Sequence, residues 1–419
     1  MEDVILAKDQ KKPRVWIINH HATTAGVGGN SRHFQIATEL SNRGYDVTIF
    51  ASSNNFRTHK YYFDEEYVLK KEGNVNVFWI KTVPTCTNLA FRLLNYINFY
   101  FKLRKKFNNF PEPDIVIGSS VHPFAWLSAY YICKHTNAQF IAEIRDIWPM
   151  SMKEEMGRFY FLARMLFEPI ESFTYMRAEY IITTMQFGFE YTESRGAKKG
   201  ITKWIPHGIN LEEYDKNAIE NEAETSSEIL QFLKTNKCCV YTGALSQSEG
   251  LWALLEAASL MQRKESDIKF VIIGSGSEEE KLKNLISIYE LKNTLMFPSV
   301  PSKQVPVILK YAFVLFCGLA DKEVFAYGIS KNKFYDYFAA KKPIVFASNV
   351  KNSIVDMAKA GFTVKAESAD AIVDAIKEIE KMTAEEYIVL GNNARLFVES
   401  NHTNAIICNK FEELFRKLD

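Results

Sequence analysis

Residues 328–347, GISKNKFYDYFAAKKPIVFA, concentrate more usable chemistry than any other stretch of the chain. A polar, basic entry leads into a helix rich in aromatics and alanine, and then into an apolar strand. The unpaired N–H groups at such a helix start carry positive potential, Lys331 and Lys333 add cationic charge around Asn332, and Asp336 follows Lys333 by three residues. That is a grip for a polyphosphate with a carboxylate beside it, able to accept hydrogen bonds from two ribose hydroxyls. Two glycine-bearing turns, YTGALSQSEGL (241–251) and VIIGSGSEEEKL (271–282), present Gly243 and Gly274 after apolar runs, where backbone N–H groups form an anion cradle or the glycines simply allow a tight strand-to-helix connection. A third, HHATTAGVGGNSRHF (20–34), places Gly26, Gly28 and Gly29 after the first apolar run. Its spacing is not G-x-G-x-x-G, which argues against a nicotinamide dinucleotide.

Such loops work only when strands and helices present them at one edge of a sheet. Apolar runs alternating with helical patterns predict parallel βα units. In the first half the strands are expected at 14–20, 46–50, 76–81, 114–118, 139–144, 179–184 and 204–207. In the second they are expected at 238–243, 268–274, 312–318 and 343–348, with a last helix over 405–418. At 419 residues the chain exceeds one ordinary core, so the expectation is an α/β protein of two doubly wound Rossmann-like domains facing across a cleft. The boundaries read as an N-terminal domain 1–208, an acidic linker 209–236 rich in glutamate, a C-terminal domain 237–400 and a terminal helix 401–419 near the domain junction.

A net charge of +1 gives no global attraction to nucleic acid. The six cysteines show no C-x-x-C or metal-ligand spacing, which fits a reducing compartment. The chain has no D-x-D, so no metal is expected. MEDVILAKDQKKP lacks the basic start of a signal peptide, and no run reaches the roughly 18 apolar residues of a spanning helix. The expectation is a cytoplasmic protein, with one stretch pointing to a membrane surface. Residues 87–107 carry Arg92, Lys102, Arg104, Lys105, Lys106 and no acid, with a wide apolar face that includes Phe91, Leu94 and Phe101. Such a helix either clamps onto the sheet or lies peripherally in the anionic inner face of the plasma membrane.

Six fragments in order, AGVGGNSR with IATELSNRGYDVTIF, EIRDIWPMSM, IPHGIN, YTGALSQSEGL, VIIGSGSE and GISKNKFYDYFAAKKPIV, resemble the retaining glycosyltransferases of family 4, GT-B in fold. The likeness is closest to the WbuB-like members that build bacterial surface polysaccharides such as O-antigen or capsule, and it covers roughly residues 14–380. The resemblance implies that Gly28 and Gly29 approach the donor phosphates or the acceptor. It implies that His122 reaches the transferred sugar and that Asp146, beside Arg145 and Trp148, faces the cleft. It further implies that Lys333 neutralises the diphosphate and Asp336 holds the ribose. This chain departs from the family where Gly328 stands eight residues before Asp336 in place of a glutamate, with Glu323 as a candidate substitute. It departs again where Ser246, Gln247, Ser248 and Glu249 replace a basic pair, leaving the phosphate charge to Lys333 with Lys331 or Arg32 as helpers, and where Lys331 replaces a proline.

The implied reaction moves a hexosyl or N-acetylhexosaminyl unit from a UDP-sugar to a glycan or polyprenyl-diphosphate-linked acceptor, without nucleic acid as a partner. A nucleotide-sugar 2-epimerase shares the architecture and remains the rival enzyme. A noncatalytic relative that kept only the fold is the third reading.

Overall fold

The computed structural model describes residues 12–27, 31–55, 58–85, 88–120 and 122–418. They form two compact units, one of residues up to Pro206 together with Ile407 onward, the other His207–Ile406. The first contains β1 (Arg14–Ile18), β2 (Asp46–Ser52), β3 (Tyr67–Glu72), β4 (Val75–Ile80), β5 (Ile115–Ser119), β6 (Gln139–Ile144), β7 (Tyr180–Thr183) and β8 (Thr202–Trp204). They lie in the order β3-β4-β2-β1-β5-β6-β7-β8, parallel throughout except for β3, which runs antiparallel to β4 at the edge. The second contains β9 (Cys238–Ala244), β10 (Lys269–Ser275), β11 (Thr294–Phe297), β12 (Val314–Gly318), β13 (Ile344–Ala347) and β14 (Gly361–Val364), in the order β11-β10-β9-β12-β13-β14. That is the 3-2-1-4-5-6 order of nucleotide-binding sheets, whose strand direction of travel reverses between the first and fourth strands.

Central strands read as apolar runs because both faces are covered by helices. β9, β10 and β12 bury their sequences almost completely, Val240, Val271 and Leu315 meeting helices on one face and Cys239, Phe270 and Phe316 on the other. The strands absent from the sequence reading, β3, β11 and β14, are all edge strands. β3 reads YVLKKE and leaves half its residues exposed, so its pattern carries little apolar signal.

Residues 209–236 are not a linker. Asn210 caps the helix Leu211–Glu220 through Glu213 N–H, and a second helix spans Ser227–Thr235. Ile209, Tyr214, Ile229 and Leu233 are buried in the core of the second unit. The glutamates that suggested a solvated tether lie on the outer faces and at helix starts, where the backbone dipoles favour negative charge: Glu212 and Glu213 open the first helix and Glu228 the second. At the other end, the helix Asn404–Phe415 sends Ile407, Cys408, Phe411, Leu414 and Phe415 into the core of the first unit, and its Glu412 pairs with Lys12 and Arg43.

The helix Leu89–Lys106 packs one side and leaves apolar residues exposed on another. Asn95, Tyr96, Phe99 and Leu103 are buried, Asn95 donating to Thr82 Oγ1 at 2.7 Å, so one side clamps onto the domain. Phe91, Leu94 and Phe101 point outward and are 51–54% exposed. Among the described residues, no helix is long and apolar enough to cross a membrane.

Because Leu233 is 3% exposed in the core, Leu233→Ala should destabilise the protein by about 2–5 kcal/mol. Urea unfolding would measure it, and a change within about 0.5 kcal/mol would return this segment to the status of a tether.

Candidate nucleotide and acceptor sites

In the second unit the chemistry gathers where the strand order reverses, at the carboxyl ends of β9 and β12. Gly243, one residue before the end of β9, has a φ of 145° that suits only glycine, and a Cβ there would lie 2.8 Å from Lys333 Nζ. Gly274, at the end of β10, is needed for packing, since a Cβ would sit 1.9 Å from Gly243 O. After β9 the chain makes a short turn, Gln247–Glu249, that turns Glu249 inward. Lys333 Nζ donates to Glu249 Oε2 at 2.7 Å and to the Tyr241 hydroxyl at 2.7 Å, and Lys331 Nζ bonds Glu249 Oε1.

Two cations therefore clasp one carboxylate. Burial pushes the Glu249 carboxyl up, but the charges of Lys333 and Lys331 outweigh it and hold its pKa below the usual value. Burial lowers the Lys333 pKa, with Glu249 opposing the shift. The cluster keeps one positive charge in excess beside the glycine turn. Lys331, read as a helper, is thus a full member, while Arg32 is not part of this chemistry. It belongs to the first unit, where its guanidinium bonds Glu143 Oε1 at 3.0 Å, Ile205 O at 2.8 Å and Pro206 O. Asn332 is exposed and heads the seven-residue helix Lys333–Ala339 without a side-chain cap bond. Glu323 lies exposed in the turn Glu323–Tyr327.

Asp336 is not part of the lysine cluster. Its carboxyl makes no hydrogen bond or ion pair among the described residues, and it lies near Tyr214, whose hydroxyl titration is raised first by burial and then by Asp336 and Asp215. Burial raises Asp336 from 3.8 to about 7.

The first unit has its own reversal point, between β1 and β5. Here the structure assembles His20 and His21, which follow β1, with His122, which precedes the helix Pro123–His135. The His20 ring lies 4.7 Å from His21 and 4.9 Å from His122, and His122 stacks on Tyr96 at 3.8 Å and 21°. Burial, then the charges of Arg145 and Arg92, lowers His21 to about 3, and burial followed by repulsion from His21 depresses His122. All three imidazoles are therefore neutral at pH 7. Both ring nitrogens of His122 are buried without a hydrogen-bond partner among the described residues, which is costly unless something else supplies one. His21 is half-buried as a residue, but both of its ring nitrogens are covered.

Asp146 stands exposed just after β6, with no ion pair to Arg145 or any other described residue. Trp148 is buried against Phe167 at 4.1 Å and serves packing. Gly28 and Gly29 lie outside the described residues. Sequence reading missed His20, His21 and Tyr96. The signal for the first two was the His-His pair directly after the first strand, at a position where such sheets bind ligands.

Comparison with known proteins agrees with this arrangement. Residues 27–213 match the family model for glycosyltransferase family 4, and residues 222–397 match that for glycosyl transferases group 1. Each half of this chain thus matches a glycosyltransferase family model, and its fold is the GT-B fold. An uncharacterised glycosyltransferase of Methanocaldococcus jannaschii is 26% identical over 203 residues, 46% of this chain and 47% of that protein, so the likeness spans about half the length of the curated relative. Among solved structures, sucrose-phosphate synthase from Thermosynechococcus elongatus superposes with a TM-score of 0.73 at 15% identity, covering 97% of this chain and 99% of that chain. The Anabaena protein HepE, solved with UDP and glucose, gives 0.66 at 11% identity, covering 97% and 100%. A Rickettsia africae glycosyltransferase gives 0.67 at 16%, covering 97% and 98%. At these identities the structures establish the fold alone.

The isolated carboxyl of Asp336 sets a pH dependence. Its folded pKa is raised, so the folded protein holds a proton that the unfolded chain has already lost between pH 3.8 and about 7. Stability is whole below that window and falls as pH rises through it. Without ligand, Asp336→Asn should therefore be more stable than wild type at pH 8, by at most about 4 kcal/mol, and nearly equal to it at pH 4. Denaturation at the two pH values measures this. An equal difference at both would mean that the carboxyl is ionised and solvated.

Proposed function

We propose that the chain transfers a hexosyl or N-acetylhexosaminyl unit from a UDP-sugar to a glycan or lipid-diphosphate-linked acceptor, with retention of anomeric configuration, in the synthesis of a bacterial surface polysaccharide. The observation that carries the donor half is the Lys331–Glu249–Lys333 cluster beside Gly243 at the strand reversal of a nucleotide-binding sheet. When a diphosphate arrives, its oxygens compete with Glu249 for the two ammonium groups, so the cations are held ready without being solvated. They stabilise the charge that grows on the departing phosphate. The HepE structure with UDP and glucose supports the choice of nucleotide by analogy.

In this reading the bond from the anomeric carbon to the diphosphate oxygen breaks, the acceptor oxygen bonds to the same face, and the acceptor proton passes to the departing phosphate. No protein base is required. Asp336 accepts from the ribose hydroxyls, and ligand binding draws it to its charged form. The first unit holds the acceptor, with the His20–His21–His122 cluster near the sugar and Asp146 as an exposed polar contact. Charge neutralisation falls to lysine and not to a metal. The helix Leu89–Lys106 attaches the protein peripherally to the inner face of the plasma membrane, where a lipid-linked acceptor is confined.

Thermal shift against a panel of nucleotide sugars, followed by detection of free UDP and an extended glycan, tests the assignment directly. An isomerised nucleotide sugar would instead identify an epimerase, and absence of any turnover would identify a noncatalytic relative. Lys333→Ala should lower kcat by about 10² to 10³ and weaken donor binding, and near-normal kinetics would remove Lys333 from the leaving-group role. His122→Ala should lose more kcat than UDP affinity, as a titration of UDP by calorimetry beside steady-state rates would show. A chelator such as EDTA should leave turnover unchanged, and its abolition would demand a metal.

A further inference from the structure

The cis-linked Trp148-Pro149 turn leads into a segment whose apolar side chains cover more than one side of a helix. The helix Tyr160–Tyr175 buries Ala163, Phe167, Glu171, Thr174 and Tyr175. Ala163 and Phe167 pack with Trp148, Met152 and Met156, and the same cluster takes in Leu89 and Leu93 from the helix Leu89–Lys106. That contact already satisfies one side. The opposite side carries Phe161, Leu162, Met165 and Leu166, preceded by Phe159, and these five side chains are 54–66% exposed. A helix with a second apolar face of this breadth is missing a partner.

We propose that the outward face of residues 159–166 inserts into the headgroup region of an anionic lipid bilayer and is the main wedge by which the first unit holds to a membrane. Charge selects this partner. Between Gly157 and Phe167 the only charged residues are Arg158 and Arg164, both exposed cations. Arg164 shares Glu168 with Arg195, at 2.6 and 2.9 Å, so that trio keeps a positive excess. The helix Leu89–Lys106, joined to the wedge through Leu89 and Leu93, exposes Phe91, Leu94 and Phe101 and adds Arg92, Arg104, Lys105 and Lys106, while its Lys102 is paired with Glu66 at 3.0 Å. In a chain of net charge +1, this local excess is a property of the surface and not of the whole protein. Apolar side chains rimmed by cations suit a lipid interface, with the chains entering the acyl boundary and the cations meeting phosphate headgroups. The inference deepens the membrane attachment proposed above, on which it rests for its partner, by naming a second and larger inserting element.

The test uses the full chain and vesicles of phosphatidylcholine alone or mixed with phosphatidylglycerol. Wild type should float with the mixed vesicles, less so at high salt, and hardly at all with phosphatidylcholine. Phe161→Ser/Leu162→Ser/Leu166→Ser should weaken flotation by about tenfold or more, with melting temperature and UDP binding unchanged because the three side chains are exposed. The charge reversal Arg158→Glu should weaken it in the same direction and guards against misfolding of the triple variant. A folded triple variant that floats like wild type overturns the wedge. If Phe91→Ser/Leu94→Ser/Phe101→Ser then abolishes flotation, attachment through that helix survives alone. A wild type that does not float but sediments as a dimer, made monomeric by the triple substitution, assigns the face to a second copy and overturns the inference. UDP binding measured in parallel keeps the donor reading separate from all of these outcomes.

Discussion

A carboxylate taken out of water must be matched by positive charge, and each unit is built around one such match at the carboxyl edge of its sheet. In the first, Glu143 on β6 is paired with the Arg32 guanidinium at 3.0 Å and hydrogen-bonded to the His33 ring at 2.6 Å, both from the helix Arg32–Asn42, and burial lowers the His33 pKa so that Arg32 supplies the charge. In the second, Glu249 is clasped by Lys331 and Lys333. The two serve different ends. Glu143 is sealed: its backbone carbonyl accepts from Trp126 Nε1, Arg32 reaches on to Ile205 O and Pro206 O, and the whole group ties three segments of the unit together. Glu249 is held by lysine side chains that keep 14–15% of their surface open, so the match can be exchanged for another anion.

That difference separates structural charge from functional charge. Arg32 lies in a glycine-rich strand-to-helix connection and has the sequence context of a phosphate ligand, yet its guanidinium is committed to Glu143 and two backbone carbonyls. Glu249 has the wrong sign for a phosphate site, yet it holds Lys331 and Lys333 together beside Gly243. A departure from the family pattern that looks like a loss of charge is therefore an internal counter-ion, with Lys331 restoring the positive excess.

The first unit places three neutral imidazoles together and stacks one of them on Tyr96, which comes from the same helix that turns Phe91 and Leu94 outward. The ring stacked on His122 and the exposed apolar residues thus come from one element.

By itself the sequence determined the α/β class, the two sheets, most of the central strands and the segments that carry glycines and lysines, because buried parallel strands must be continuous apolar runs and their loops must turn sharply. It also exposed the two-faced character of residues 89–106. It did not decide the edge strands, whose half-exposed residues carry no such pattern, nor the helices at 211–220 and 227–235, whose surface glutamates outnumber the few core residues that hold them. Only the tertiary structure decided which charges meet. Whether Arg32 grips a ligand or Glu143, whether Asp336 joins the lysines or stands beside Tyr214, and which histidines surround His122 all depend on contacts between residues tens to hundreds of positions apart. Local periodicity reports burial, but the pairing of polar groups is set by the fold that brings them together.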